Sequence, residues 1–153
     1  MIKYVKGDAT LPQGEGQKYI CHIVNDIGLW GAGFVLALSR RWRDPERLYK
    51  LWYRESNNFK LGEIQLVPVE GDITVINMVG QKNIRGMGNK PPIRYEAVKK
   101  CLEQVAAYAK KDNASVNMPR IGCGLAGGDW KEIEQIIESV LIKNNIEVTV
   151  YDL

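Results

Sequence analysis

Four glycines lie within residues 122–128, GCGLAGG, a spacing that could bind phosphate. Glycine permits positive φ angles and lets a ligand approach the backbone without a Cβ clash. The segment follows a predicted strand and precedes a helix capped by Asp129, so its N–H groups lie at the positive end of that helix. The spacing matches neither Walker A nor GxGxxG. The composition alone fits a phosphate-binding loop and a flexible turn equally well.

A second glycine-rich segment, residues 28–33 with the sequence GLWGAG, has the same arrangement. It follows the apolar run 19–25 and precedes a helical spacing that begins at Phe34. Ligands of open α/β sheets bind at the carboxyl ends of the strands, so we expect both loops at one edge of the sheet. Two such loops suit a diphosphate better than a single phosphate.

Two polar side chains stand at the ends of predicted strands. Asp8 follows the first strand, and its carboxylate could accept a hydrogen bond from a purine amine or from its own turn. Asn25 ends the second strand, where its amide could bind sugar hydroxyls or stabilise the local turn. The sequence leaves both alternatives open at each position.

His22 and Cys123 are candidates for acid, base or nucleophilic chemistry. His22 lies inside a predicted buried strand, so it is either a core residue or an acid or base at the border of a cleft. Cys123 lies in an electropositive loop, which predicts a lowered pKa. A Cys/His dyad is conceivable, but no motif supports it.

Cationic and aromatic residues alternate over residues 40–54. This pattern could bind nucleic acid through charge and stacking. It also fits the solvated face of two amphipathic helices, which the net charge of only +3 favours.

The apolar patterns predict the elements that must position these residues. The predicted strands cover residues 2–6, 19–25, 64–69, 73–79, 115–119 and 146–151. Four helices are predicted: one that starts at Phe34, one over residues 45–55, one after Pro91-Pro92 and one after Asp129. The apolar face of the third helix is predicted to include Ile93. The resulting order, β-β-α-α-β-β-α-β-α-β, predicts an α/β fold. We expect a three-layer α/β/α sandwich around a mixed, largely parallel sheet.

Length and composition are those of an ordinary globular protein. The 153 residues, 45% hydrophobic and 25% charged, predict one domain over residues 1–153. The chain has no apolar run of roughly 20 residues and no signal-peptide core, so we expect no membrane association and a cytoplasmic location. Three cysteines without a CxxC pair and one histidine predict reduced thiols and no metal site.

Four segments, in order along the chain, resemble the motifs of macrodomains. They are residues 4–10 (YVKGDAT), Asn25 with residues 30–34 (WGAGF), residues 118–130 (MPRIGCGLAGGDW) and residues 148–153 (VTVYDL). The resemblance covers essentially the whole chain. It implies the macrodomain fold, with ADP-ribose or a derivative as the ligand, and we expect a monomer with no cofactor.

The resemblance implies a role for each segment. Asp8, beside Ala9, would hold the adenine amine, Asn25 would lie near the distal ribose, and Leu153 would pack against the adenine. The residues expected to wrap the diphosphate and the distal ribose are Gly31, Ala32, Gly33, Phe34, Gly122, Cys123, Gly124, Leu125 and Ala126.

Within that family, the chain is most similar to the subgroup of terminal ADP-ribose protein glycohydrolases and ADP-ribose-1''-phosphate phosphatases. The glycohydrolase of this subgroup uses a lysine after the fourth strand and an aspartate directly after the Gly-Cys-Gly-Leu string. This chain has Gln81 and Ala126 at those positions. Lys82 comes one residue later, and Asp129 has a helix to cap. A one-residue shift of the loop could bring Lys82 to the site, and only Asp129 could replace the aspartate, so both are less favoured catalytic candidates than His22 and Asn25.

Three functions remain open. One is a hydrolase acting on ADP-ribose-1''-phosphate or an ADP-ribosyl ester on protein, assisted by His22, Asn25 or a positioned water. The second is a non-catalytic ADP-ribose reader. The third is a nucleic-acid-binding protein that uses the basic aromatic helices; otherwise nucleic acid is expected as a partner only if it carries ADP-ribose.

Overall fold

The computed structural model describes residues 1–86, 88 and 90–153. Its elements follow one another in the predicted order. They are β1 (Lys3–Lys6), β2 (Lys18–Asn25), α1 (Phe34–Arg41), α2 (Asp44–Glu55), β3 (Ile64–Glu70), β4 (Ile73–Gln81), α3 (Tyr95–Asp112), β5 (Ser115–Met118), α4 (Trp130–Val140), a 3-10 turn (Ile142–Asn144) and β6 (Val148–Asp152).

The six strands form one mixed sheet in the order β1-β6-β5-β2-β4-β3. Every neighbouring pair is parallel except β3 and β4, which form an antiparallel hairpin. β2 lies in the interior of the sheet and is buried along nearly all of its length, which explains its continuous apolar run. The carboxyl ends of β1, β2, β4, β5 and β6 consequently meet at one edge.

Helices cover both faces of the sheet, so the predicted three-layer sandwich is confirmed. α3 and α4 enclose a core that contains Leu102 and Ile133. α1 and α2 enclose a second core that contains Leu38 and Tyr49. Side chains of a strand alternate between the two faces, so consecutive residues of β2 enter different cores.

The helix after Pro91-Pro92 begins later than predicted. The prediction that Ile93 belongs to its apolar face is wrong, because α3 starts at Tyr95. Ile93 instead pairs with Gln81 in an antiparallel bridge, and its N–H donates to the Ala126 carbonyl at 3.1 Å. These contacts with distant segments hold the backbone extended before the helix, and no local pattern encodes them.

The described helices are amphipathic. α3, the longest, has 18 residues and buries one face. Of the helices that the structure describes, none has the length and hydrophobicity needed to cross a membrane.

Candidate functional site

A cavity of about 570 Å³ opens at the edge where the parallel strands end. Both glycine-rich loops border it, together with the ends of β2, β4 and β5. Its lining residues are His22, Ile23, Val24, Asn25, Trp30, Gly31, Ala32, Gly33, Phe34, Val35, Gln81, Ile84, Pro119, Arg120, Ile121, Gly122, Cys123, Gly124, Leu125 and Ala126. The fold thus brings together two loops that lie far apart in the sequence.

The second glycine loop, residues 122–128, is folded back on itself. The N–H of Gly128 donates to the Gly122 carbonyl at 2.7 Å, and the N–H of Gly127 donates to the Gly124 carbonyl at 3.0 Å. The N–H groups of Gly124 and Leu125 donate to no acceptor among the described residues. Free donors therefore lie beside the cavity, near the N-terminus of α4, where the helix dipole favours an anion.

Asn25 organises the first glycine loop. Its side-chain oxygen accepts from the N–H groups of Ile27 at 3.1 Å and Leu29 at 3.2 Å, and its Nδ2 donates to the Leu29 carbonyl at 2.5 Å. The buried Tyr49 of α2 completes this arrangement, because its hydroxyl lies 2.7 Å from Asn25 Oδ1 and 2.8 Å from the Asn25 carbonyl. Asn25 thus shapes the local turn, and it also lines the cavity.

Tyr49→Phe is expected to lower the free energy of unfolding by about 1–2 kcal/mol, because it removes the buried hydroxyl that hydrogen-bonds to Asn25. Urea unfolding measures this change. Tyr53→Phe on the same helix is the matched control, since the Tyr53 side chain is exposed and its loss is expected to cost less than about 0.5 kcal/mol. Equal losses in the two variants would contradict this role for Tyr49.

His22 is almost completely buried, yet it is one of the residues that line the cavity. Its Nε2 lies 2.5 Å from Asn77 Oδ1, and the ring packs against Trp30 and Phe34. Burial lowers the pKa of His22 to about 4, although the hydrogen bond with Asn77 opposes the shift. The imidazole is therefore neutral at pH 7 and has no proton to give as an ordinary imidazolium acid.

The carboxylate of Asp8 lies outside this cavity, as do Ala9 and Leu153. Asp8 Oδ1 accepts from the Thr10 N–H at 2.8 Å and the Thr10 hydroxyl at 2.7 Å, which is a local turn. Partial burial raises the pKa of Asp8, but the bonds from Thr10 and the charge of Arg41 outweigh it and lower the pKa overall. Asp8 is thus ionised at neutral pH, and its Oδ2 lies 3.9 Å from Arg41.

The lysine and the aspartate considered for catalysis are both away from the cavity. Lys82 is exposed and is absent from the lining, whereas its neighbour Gln81 lines it. Asp129 caps α4 by accepting from the Lys131 N–H at 3.0 Å. Ala126 stands in the lining without a carboxylate. Neither Lys82 nor Asp129 is therefore among the residues that line the cavity.

The prediction of a lowered pKa for Cys123 is wrong. Burial raises the pKa of its thiol; Arg120 lowers it and Asp129 raises it, and the net shift is upward. Burial disfavours a thiolate more than a single exposed arginine favours it. No hydrogen bond joins Cys123 to His22 in the described part of the chain, so the structure does not assemble a Cys/His dyad.

Of the four aromatic residues in the segment 40–54, Tyr53 is exposed, and the other three are buried or half-buried. Trp52 is buried and donates to Asn58, and Trp42 donates to Glu70 at 3.0 Å. Two of its cations are paired within α2, Arg47 with Asp44 and Lys50 with Glu46. The arrangement supports the interpretation of a solvated helix face.

Three residues that hold the site escaped the sequence analysis: Tyr49, Gln65 and Asn77. Each contacts the site through a partner in another element. Asn77 alone carried a signal, because an amide inside the apolar run 73–79 must find a buried partner. Nothing in the sequence pointed to Tyr49 or Gln65.

Two solved structures resemble the whole chain. A protein of unknown function from Bacteroides thetaiotaomicron is 55% identical, with a TM-score of 0.98, covering 100% of this chain and 98% of its own. A macrodomain protein from Streptomyces coelicolor is 47% identical, with a TM-score of 0.90, covering 100% and 99%.

Curated relatives differ in how much of their length the chain matches. Chromodomain-helicase-DNA-binding protein 1-like from Mus musculus is 33% identical over 98% of this chain, which spans only 17% of that protein's length. ADP-ribose glycohydrolase OARD1 from Bos taurus is 29% identical over 99% of this chain and 91% of its own length.

The sheet between two helical layers, with a cavity at the carboxyl ends of its parallel strands, defines an α/β protein with a ligand site at the strand ends. A model of the Macro domain family matches residues 21–137, most of the chain. The chain belongs to the Macro domain family.

Proposed function

We propose that this protein binds ADP-ribose, with the diphosphate between the two glycine-rich loops. The observation that carries the proposal is that residues 28–33 and 122–128 border one cavity. The free N–H groups of Gly124 and Leu125 supply donors, and the N-termini of α1 and α4 supply positive potential. This combination suits a dianionic linker that needs no lysine to hold it.

The two ends of the ligand extend in opposite directions from the diphosphate. At one end, Oδ2 of ionised Asp8 accepts the adenine amine, and Leu153 packs against the base. At the other, the distal ribose enters the part of the cavity lined by His22 and Asn25. No metal or cofactor takes part in this proposal.

We further propose that the protein hydrolyses an ADP-ribose derivative, either the 1''-phosphate or an ADP-ribosyl ester on protein. Support comes from similarity along almost the full length of a relative named ADP-ribose glycohydrolase. With Gln81 and Ala126 at the cavity, catalysis relies on a water positioned near Asn25 and on donors aimed at developing negative charge. Neutral His22 can accept a proton but not donate one from a charged ring.

Isothermal calorimetry with ADP-ribose tests the binding proposal, and we expect a stoichiometry near one. Turnover is tested separately by incubation with ADP-ribose-1''-phosphate and with ADP-ribosylated protein, followed by mass spectrometry. Released phosphate or free ADP-ribose is expected from at least one substrate. No binding heat, with either component in the syringe, would refute the site itself.

The alternative is a non-catalytic ADP-ribose reader. The observation that favours it is the absence of an acidic side chain at Ala126 and of lysine from the described cavity lining. The reader predicts binding with unchanged substrate in every turnover assay. If turnover occurs and His22→Ala keeps the full rate, histidine takes no part in the reaction.

We also propose that the protein is monomeric and cytoplasmic. A monomeric state is checked by size-exclusion chromatography with light scattering. A cytoplasmic location rests on the odd number of cysteines, Cys21, Cys101 and Cys123, which are free thiols in the structure.

A further inference from the structure

A chain of buried and half-buried hydrogen bonds runs from α2 to His22. Gln65 of β3 donates through Nε2 to the Leu48 carbonyl at 2.9 Å, and its Oε1 accepts from Asn77 Nδ2 at 2.9 Å. Asn77 Nδ2 also donates to the Pro45 carbonyl at 3.1 Å, and Asn77 Oδ1 lies 2.5 Å from His22 Nε2. Asn77 and His22 are both more than nine-tenths buried.

Two backbone carbonyls determine the direction of every bond in this chain. A carbonyl oxygen only accepts, so the Pro45 and Leu48 oxygens require the amide nitrogens of Asn77 and Gln65 to face them. The oxygen of Asn77 must then face His22, and it too only accepts. Nε2 of His22 therefore carries the ring proton, and Nδ1 of the neutral ring is an acceptor.

The other ring nitrogen of His22, Nδ1, takes no part in this chain of hydrogen bonds. The imidazole packs against Trp30 and Phe34, whose ring centroids lie 5.4 Å and 5.9 Å from its own. Nδ1 has no hydrogen-bond partner within the described part of the chain, and His22 is one of the residues that line the cavity. Nδ1 is also not sealed from the cavity, because no fully buried side-chain nitrogen or oxygen among the described residues lacks a partner. An accessible acceptor without a protein partner favours a ligand that brings a donor.

We infer that His22 is a specificity residue whose Nδ1 accepts a hydrogen bond from a hydroxyl of the ligand, with Asn77 and Gln65 as positioning residues that set its tautomer. The inference rests on the proposed function, because that hydroxyl belongs to the distal ribose. The same nitrogen disfavours the diphosphate at this position, because Nδ1 and a phosphate oxygen are both acceptors and cannot hydrogen-bond to each other.

NMR can observe the tautomer of His22 directly, because His22 is the one histidine of the chain. A long-range ¹H–¹⁵N spectrum at pH 7 is expected to show a single imidazole protonated at Nε2. Saturation with ADP-ribose is expected to move the Nδ1 resonance toward the protonated position, while the Nε2 resonance stays in place. A ring protonated at Nδ1 in the free protein would overturn the inference, as would an Nδ1 resonance unmoved at saturation.

Asn77→Leu tests the positioning role. The variant is expected to lose the single Nε2-protonated pattern, because nothing then specifies the tautomer. Asn117→Leu is the matched control: Asn117 is also a buried asparagine, on β5, but it bonds to Tyr19 and Tyr151 and not to His22. An unchanged His22 spectrum in folded Asn77→Leu would overturn the role of Asn77.

His22→Phe tests specificity, since phenylalanine keeps a ring against Trp30 and Phe34 but removes the acceptor. Affinity for ADP-ribose is expected to fall about tenfold, as for one buried hydrogen bond. Affinity for ADP, which lacks the distal ribose, is expected to match the wild type. Equal affinity of variant and wild type for ADP-ribose would overturn the inference, and equal loss for both ligands would assign His22 a merely structural role.

Failure of the proposed function has a different signature. If wild-type protein gives no binding heat with ADP-ribose, the proposed function is refuted, and so is the proposed hydrogen bond between His22 and the ligand. The free-protein spectrum would still decide whether Asn77 sets the tautomer.

Discussion

Gly124→Glu is expected to abolish measurable ADP-ribose binding while the protein stays folded. Gly124 has a φ of +53°, and a Cβ built on it meets no described atom within 4 Å, so the side chain would extend into open space beside the cavity. A carboxylate there would occupy and repel the position proposed for the diphosphate. We expect affinity to fall at least about a hundredfold, or roughly 3 kcal/mol, by calorimetry.

Gly71→Glu is a matched control for this substitution. Gly71 has a φ of +49° and equally open surroundings, but it lies in the β3–β4 turn at the opposite edge of the sheet. Both variants carry a similar left-handed backbone penalty of about 1–2 kcal/mol, so their melting temperatures are expected to fall together. Wild-type affinity in Gly124→Glu would remove the second loop from the site.

Acidification from pH 6.5 to pH 4 is expected to lower the free energy of unfolding by about 3 kcal/mol through His22 alone. Burial lowers the pKa of His22 from 6.5 to about 4 in the folded protein. Between these values the unfolded chain binds a proton that the folded protein excludes. Stability therefore rises with pH in this window and is lost as pH falls from 6.5 toward 4. Urea unfolding at successive pH values measures the slope.

His22→Gln identifies the group responsible, because glutamine does not titrate. The variant is expected to lose most of the slope between pH 6.5 and 4.5. The carboxyls of Asp8, Glu46, Asp72 and Asp152 have pKa values below their ordinary 3.8 or 4.5, so their stabilisation is present above those values and is lost as pH falls below them. Parallel curves for wild type and variant would show that His22 is not excluded from protonation in the folded state.

The order of strands and helices could be predicted because each element carries its own periodic pattern. The apolar run of β2 indicated a strand buried on both faces, and the spacing after Asp129 indicated an amphipathic helix. The same patterns placed both glycine loops after strands and before helices. Their common edge followed from the geometry of parallel sheets and not from either loop alone.

Predictions failed where burial or distant contacts decided the outcome. Ile93 lies outside the helix because its N–H donates to the Ala126 carbonyl and its backbone pairs with Gln81. The thiol of Cys123 has a raised pKa because burial outweighs its electropositive neighbour. Both predictions considered only residues that are close in the sequence, whereas the outcome depended on residues that are close only in the folded structure.

The sequence by itself determined the architecture, the positions of the two glycine loops and the family, because periodicity and motif spacing are local properties of the chain. Only the tertiary structure decided that Asn25 shapes its turn with Tyr49, that Lys82 lies outside the cavity, and that His22 lines the cavity while it is hydrogen-bonded to Asn77. Those features depend on hydrogen bonds between separate elements and on the removal of water. Neither exists until the sheet and its helices have packed.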